Sequence, residues 1–72
     1  MSIPPPEFLK VSWPELLGVL ATLAATAIQH DRPDCSVEVL APGAPYNPDD
    51  NPLRVLLFID YNAIVTQIPS VG

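Results

Sequence analysis

Apolar residues follow one helical and two extended patterns along the 72-residue chain. From Val19 to about Gln29, a run rich in alanine, leucine and threonine predicts a helix, which residues 31–33 (DRP) end. Residues 36–40 (SVEVL) alternate polar and apolar side chains enough to predict a strand. Residues 54–60 (RVLLFID) are mainly apolar and β-forming, which is typical of a central strand covered on both faces.

Weaker patterns complete the predicted domain. Residues 12–15 (SWPE) match a capping box in which Ser12 caps a single helical turn. Residues 64–68 predict a short third strand, and the proline-rich residues 1–11 predict an irregular N-terminal arm. We therefore expect an arm at 1–11 and one α+β domain at 12–72, with a single helix packed on a small sheet.

The segment between the two predicted strands reads APGAPYNPDDNP over residues 41–52 and contains four prolines. Proline fixes φ to about −65° and removes a backbone donor, which excludes both a helix interior and a central strand. The segment is therefore a loop, and its prolines make it rigid enough to present a binding surface. Tyr46 is its one aromatic residue, and it either packs against the loop or contacts a partner.

Composition excludes several classes of function. A net charge of −5 with three basic residues argues against nucleic acid or an anionic membrane as a partner. No metal-binding or phosphate-binding motif is present, and the only histidine, His30, lies where the predicted helix ends and its dipole favours positive charge. We expect no enzymatic activity, no cofactor and no metal ion. We expect Cys35, the only cysteine, to be a small buried residue.

The apolar run at residues 16–28 has a second interpretation as the core of a signal peptide. It is shorter than the roughly 20 residues that span a bilayer, and the prolines and glutamates before it fit a signal peptide badly. We therefore expect a core helix. No convincing signal peptide remains, so the localisation is unknown, with the cytoplasm favoured.

An ordered set of short motifs resembles the potato inhibitor I family of serine protease inhibitors. Residues 13–18 (WPELLG) resemble its WPELVG opening. No single motif is very specific, but their order and spacing are. The other matching segments are 31–33 (DRP), 39–40 (VL), Gly43, 54–55 (RV), 57–60 (LFID) and the terminal 69–72 (PSVG).

This resemblance implies a mixed sheet with a parallel central strand pair, bridged by a long exposed binding loop at residues 41–53. It also implies a serine protease, subtilisin-like or chymotrypsin-like, as the partner, with the loop lying in its active site like a substrate. Parallel strands cannot be joined by a tight hairpin, which agrees with a connection of this length. A loop already held in its bound shape loses little entropy on docking.

The resemblance also assigns candidate site residues. Arg54 matches a supporting arginine beneath the loop, and Gly72 matches the terminal glycine. Asn47 stands where a threonine usually accepts a hydrogen bond from that support, which its amide can also do. The reactive-site loop residues are Tyr46, Asn47, Pro48, Asp49 and Asp50, with the scissile bond between Pro48 and Asp49.

Several positions depart from the family pattern. Leu56 replaces a second supporting arginine, Asn51 replaces a common loop arginine, and Ser70 replaces a frequent basic residue. Pro48 occupies the specificity position, where it lacks an N–H for the protease backbone and fits a deep pocket poorly. Inhibition of standard targets is therefore expected to be weak. A scissile bond shifted toward Tyr46 and a non-inhibitory binding protein with the same fold stay open.

Two further residues concern the outer face of the helix. The core-facing positions are expected to be Ala21, Ala24, Ala27 and Ile28, which leaves Leu20 and Leu23 exposed. This apolar pair favours self-association or a second partner.

Overall fold

The computed structural model of the protein describes residues 10–72. Strands β1 (Ser36–Leu40) and β2 (Arg54–Phe58) are parallel, and β3 (Ser70–Val71) pairs antiparallel with β2, so β2 is the central strand of a mixed three-stranded sheet. The predicted fold class, with one helix on a small mixed sheet, is confirmed. The elements in chain order are a 3-10 turn at Pro14–Leu16, helix α1 at Ala21–Asp31, and strands β1 at Ser36–Leu40, β2 at Arg54–Phe58 and β3 at Ser70–Val71.

Helix α1 and one face of the sheet enclose the core. The helix buries Ala21, Ala24 and Ile28, at the i, i+3, i+7 spacing of one helical face. Alternation along β2 directs Val55 and Leu57 to the same side, where both are fully buried. Ala27 is only partly buried at the edge of this core. Cys35 is buried, as expected, and so is Trp13, and the small alanines allow the helix backbone to approach the sheet closely.

The helix lies two residues later than the sequence pattern predicts. The expected start at Val19 is wrong because the backbone before Ala21 pairs with a distant segment. Gly18 N–H donates to the Val65 carbonyl, and Val65 N–H donates to the Val19 carbonyl, each at 2.9 Å. At the other end the helix continues to Asp31, where Arg32 N–H still reaches the Ile28 carbonyl at 2.7 Å.

The single turn predicted near Trp13 is present, but its predicted cap is wrong. Trp13, not Ser12, precedes the turn, and no side chain caps it. Ser12 instead forms an isolated antiparallel bridge with Ser70. The Glu15 carboxylate interacts with the Lys10 ammonium, which lowers the pKa of Glu15. Extended pairing has therefore replaced the local capping interaction at this position.

The predicted third strand at residues 64–68 is also wrong. This segment makes only single bridges, from Ile64 to Leu20 and from Val65 to Ile59, and β2 ends at Phe58 instead of residue 60. The Asp60 carboxylate accepts the backbone N–H groups of residues 62 and 64, which turns the chain. The third strand is β3, whose two residues pair with Val55 and Leu56.

Of the N-terminal arm predicted at residues 1–11, residues 1–9 lie outside the described residues. Lys10 and Val11 are tied to the domain, because the Lys10 carbonyl accepts a hydrogen bond from Arg32 Nη1 and the Val11 carbonyl accepts one from Val71 N–H. Arg32 is buried and also donates twice to the Asp34 carboxylate, at 2.9 Å in both cases. This pairing raises the pKa of Arg32 and lowers the pKa of Asp34.

The buried Trp13 is anchored by a hydrogen bond from its indole nitrogen to Asp31 Oδ2 at 2.9 Å. This bond, together with His30 and Lys10 nearby, holds the pKa of Asp31 below its usual range. The folded-state pKa is therefore lower than the unfolded-state pKa of about 3.9. Ionised Asp31 stabilises the fold above that unfolded-state value, and its contribution is lost as the pH falls through the folded-state pKa.

Asp31→Asn tests this pH dependence, because asparagine can still accept the indole hydrogen bond but has no carboxyl to titrate. We expect the variant to be about 1 kcal/mol less stable at pH 7, a value reduced by the partial exposure of the carboxylate. Its free energy of unfolding should fall less than that of the native protein between about pH 5 and pH 2. Urea denaturation across this range measures both effects. Thr22→Ala, which changes an exposed side chain of the same helix and no titratable group, is the control. Equal slopes for Asp31→Asn and the native protein would contradict the assignment.

Candidate functional site

The long loop at residues 41–53 connects the two parallel strands. It leaves β1 after Leu40 and must return past the length of the sheet to enter β2 at Arg54. Alternation along β2 places Arg54, Leu56 and Phe58 on the face opposite the helix, and the loop contacts Arg54 and Phe58 on this face. The loop is therefore held by the sheet face that the core does not use.

The loop begins with a hydrogen-bonded turn over residues 41–44. Ala44 N–H donates to the Ala41 carbonyl at 3.0 Å, and Pro42 and Gly43 occupy the two central positions. Gly43 has φ = 76°, which an L side chain rarely adopts. Proline followed by glycine at these positions is the signature of a type II turn, so this part of the loop is fixed locally.

The centre of the loop is stabilised by the Asn47 side chain. Its Oδ1 accepts a hydrogen bond at 3.0 Å from Asp49 N–H, which is the N–H of the Pro48–Asp49 peptide. The expected role of Asn47, accepting a hydrogen bond from the supporting arginine, is replaced by this local turn. Asn47 therefore holds the nitrogen that would leave if the Pro48–Asp49 bond were cleaved.

Arg54 supports the same residue from below. Its Nη2 donates to the Asp49 carbonyl at 2.6 Å, and its side chain is buried. This arrangement agrees with the expectation that Arg54 lies under the loop and bonds to it. The two described hydrogen bonds to Asp49 thus fix both its nitrogen and its oxygen.

Gly72 positions Arg54. The Gly72 carbonyl accepts a hydrogen bond from Arg54 Nε at 3.2 Å, and Gly72 N–H donates to the Arg54 carbonyl at 2.9 Å. The terminal glycine has φ = 142°, a conformation that favours glycine. Gly72 therefore acts on the loop through Arg54 and does not contact it directly in these hydrogen bonds.

Tyr46 packs its ring against Phe58 on β2. The ring centroids are 5.4 Å apart and the planes are inclined by 77°, an edge-to-face arrangement. The Tyr46 residue is still 46% exposed. Of the two roles left open by the sequence, loop packing is observed, while the remaining exposed surface is available for contact with a partner.

The loop closes with a second turn at Asn51. Leu53 N–H donates to Asn51 Oδ1 at 2.9 Å, and Arg54 N–H donates to the Asn51 carbonyl at 3.1 Å. Asn51, which replaces a common arginine of the family, therefore shapes the backbone. Leu56, which replaces the second supporting arginine, is partly buried, so an apolar side chain stands where a charge is usual.

The segment at residues 48–50 is exposed. Pro48, Asp49 and Asp50 are all exposed to solvent. Within residues 10–72, neither the Asp49 nor the Asp50 carboxylate forms an ion pair. The acidic pair is therefore solvated, as one interpretation of the sequence suggested. The exposed segment is available to enter the cleft of another protein.

Two contributions to the loop were missed from the sequence. Phe58 had been expected only as part of a central strand, although its position four residues after Arg54 places both on the same sheet face. Asn51 had been treated only as a lost arginine, although asparagine before proline is a turn signal. Both signals were present in the sequence, but the contacts that give them meaning are tertiary.

Comparisons with known proteins show which family this chain resembles. The protease inhibitor HPI of Hevea brasiliensis is 41% identical over 64 residues, which cover 89% of this chain and 91% of that protein. Subtilisin inhibitor 1 of Phaseolus angularis is 41% identical over 63 residues, covering 88% of this chain and 68% of the relative.

A solved structure gives the same result for the fold. The crystal structure of bitter gourd trypsin inhibitor superposes with a TM-score of 0.84 at 27% identity, covering 88% of this chain and 93% of that one. The model of the potato inhibitor I family matches residues 5–72. The described fold thus agrees with that of a solved inhibitor, and the chain belongs to the potato inhibitor I family of protease inhibitors.

Proposed function

We propose that the protein is a serine protease inhibitor that presents the loop at residues 41–53 as a substrate, with Pro48–Asp49 as the scissile bond. The observation that carries this proposal is the convergence of two hydrogen bonds on Asp49, from Asn47 on one side and Arg54 on the other. Relatives named as inhibitors of subtilisin and chymotrypsin support a serine protease as the partner.

The held loop explains how cleavage is made reversible. In a serine protease the catalytic oxygen bonds to the Pro48 carbonyl carbon, and the C–N bond to Asp49 breaks as the enzyme's histidine protonates the leaving nitrogen. The Asp49 carbonyl stays bonded to Arg54, which belongs to the sheet. The new amine is therefore retained beside the acyl-enzyme and can attack it again, which reforms the peptide bond.

The loop is also prepared for binding before it meets a protease. Pro48 fixes its own φ and restricts Asn47 to extended backbone conformations. The turns at residues 41–44 and 51–54 fix the two ends of the loop. Little conformational entropy is then lost on docking, because the protein already holds the segment in one shape.

Pro48 limits which proteases this loop can inhibit. It lacks the N–H that a substrate residue gives to the protease backbone, and its ring cannot fill a deep specificity pocket. We therefore expect weak inhibition of subtilisin-like and chymotrypsin-like enzymes. The second candidate, a non-inhibitory binding protein with the same fold, is favoured by Pro48 and by Leu56, which replaces the second supporting arginine.

Pro48→Leu separates these two candidates. We expect the native protein to inhibit subtilisin and chymotrypsin weakly, and the variant to inhibit at least one of them about 100-fold more tightly, because it restores an N–H and a pocket-filling side chain. Titration of each enzyme with a chromogenic peptide substrate measures the inhibition constants. If the folded variant inhibits neither enzyme, the non-inhibitory candidate replaces the inhibitor. If the native protein already inhibits either enzyme tightly through Pro48, the expectation that Pro48 weakens inhibition is wrong.

Arg54→Ala tests the support of the loop. Loss of its charge-assisted bonds should destabilise the closed loop by about 1.5–3 kcal/mol, which raises the open population about 10- to 150-fold. Cleavage within residues 41–53 by a non-target protease should accelerate by a similar factor, while the circular dichroism of the sheet and helix changes little. Mass spectrometry of the fragments locates the cuts. Arg32→Ala is the control, because it removes the other buried arginine, whose side chain bonds to Asp34 and to the Lys10 carbonyl instead of the loop. Equal loop cleavage in both variants would contradict a specific role for Arg54.

A second copy of the chain stays a predicted partner. Leu20, which precedes α1, and Leu23 within it are 48% and 61% exposed, so the expected apolar pair does face solvent. We propose that this pair contributes to weak self-association. Sedimentation at increasing concentration should show dimers for the native protein and fewer for Leu23→Glu. Identical monomeric sedimentation of both proteins at high concentration would exclude this partner.

The cytoplasmic localisation favoured by the sequence stays a prediction. Among the helices within residues 10–72, none has the length and apolar character of a membrane span.

A further inference from the structure

The loop contains four prolines, and the structure distinguishes Pro48 as the one before a held peptide bond in the exposed middle of the loop. Pro42 and Pro52 lie inside the hydrogen-bonded turns at residues 41–44 and 51–54. Pro45 precedes Tyr46, whose ring is packed against Phe58. Pro48 and Pro52 are each followed by a residue whose nitrogen and carbonyl oxygen are both held by side chains: Asp49 by Asn47 and Arg54, and Leu53 by Asn51 and Ser36. The Leu53 carbonyl also accepts the Ser36 N–H of β1, so Leu53 is tied to the sheet next to the start of β2, whereas Asp49 is exposed in the middle of the loop.

The packing of Tyr46 also argues against a scissile bond shifted toward it. If Tyr46 occupied the specificity pocket of a protease, its ring would have to leave Phe58 and the sheet face. The Tyr46–Asn47 bond would then lack the two hydrogen bonds that converge on Asp49. The peptide bond prepared for cleavage and religation is therefore the one after Pro48.

A proline at this position selects for a particular kind of enzyme. Proteases that use the N–H of the specificity residue lose a hydrogen bond to Pro48, and a deep pocket is left partly empty by its ring. An enzyme that cleaves after proline has a shallow apolar pocket that the pyrrolidine ring fills. Pro48 therefore strengthens binding to such an enzyme, whereas it weakens binding to the others. The exposed Pro48 ring, on a backbone already fixed by its own geometry, suits such a pocket.

We propose that the target class of this inhibitor is serine endoproteases that cleave after proline. The inference rests on the proposed function, because it assumes that the loop acts as a substrate-like inhibitor, and it adds which enzymes the loop addresses. In this view Pro48 is a specificity-determining residue that redirects an intact inhibitory loop. It does not mark a loss of inhibition.

The test uses the full chain and two enzymes: a prolyl endoprotease that digests intact folded proteins, and subtilisin. A gated oligopeptidase is unsuitable because a folded domain cannot reach its active site. Inhibition constants are measured for the native protein and for Pro48→Leu, each with a chromogenic peptide matched to the enzyme. We expect the native protein to prefer the prolyl endoprotease and Pro48→Leu to reverse this preference, with a change of about 100-fold or more for each enzyme.

Pro42→Ala is the matched control, since it also removes one loop proline but lies in the first turn, away from the scissile bond. It should shift the affinity for both enzymes in the same direction and leave their order unchanged. Thermal unfolding of each variant verifies that the domain is folded. Mass spectrometry after long incubation should find the slow, partial cut between Pro48 and Asp49.

The outcomes separate this inference from the proposed function. If the native protein fails to inhibit the prolyl endoprotease while Pro48→Leu inhibits subtilisin, the target class is wrong and the inhibitory loop stands. Inhibition of neither enzyme by either protein overturns both. Rapid, complete cleavage after Pro48 by the prolyl endoprotease also overturns the inference, because the loop would then be an ordinary substrate.

Discussion

The parallel pairing of β1 and β2 is the constraint on which the rest of this small domain depends. Two parallel strands can be joined only by a connection that returns along the sheet, so a long segment must lie outside the core. The helix occupies one face of the sheet, and the loop contacts the other. The segment that the topology forces into solvent is thus the one that can enter another protein's cleft.

The loop is held by few but different interactions. A buried arginine gives one charge-assisted bond to the loop, worth about 1.5–3 kcal/mol, and the Tyr46–Phe58 pair adds about 0.5–1.5 kcal/mol. The usual second arginine is replaced by the partly buried Leu56, so less of the support is electrostatic. Prolines compensate through the unfolded state, since each well-placed one removes conformations that the open loop would otherwise gain.

Much of the site could be predicted from the sequence, because its residues lie in one segment of the chain and match a family pattern in order. Arg54 contacts the loop and the acidic pair is exposed, while their roles in inhibition stay predictions. The role of Asn47 was not predicted correctly, because an asparagine side chain can bond either to an arginine or to a backbone N–H two residues later, and sequence does not rank them. Phe58 was missed as a support, since its partner Tyr46 reaches it only in the folded loop.

The sequence by itself determined the elements that depend on local chemistry: the alanine-rich helix, both parallel strands, and a proline loop that can be neither helix nor strand. Tertiary structure decided where these elements begin and end. The helix starts late and the third strand lies at residues 70–71 because distant backbone groups compete for the same hydrogen bonds. Apolar runs indicate burial, but only the fold selects the pairing partner, because each backbone N–H takes the acceptor that the assembled sheet provides.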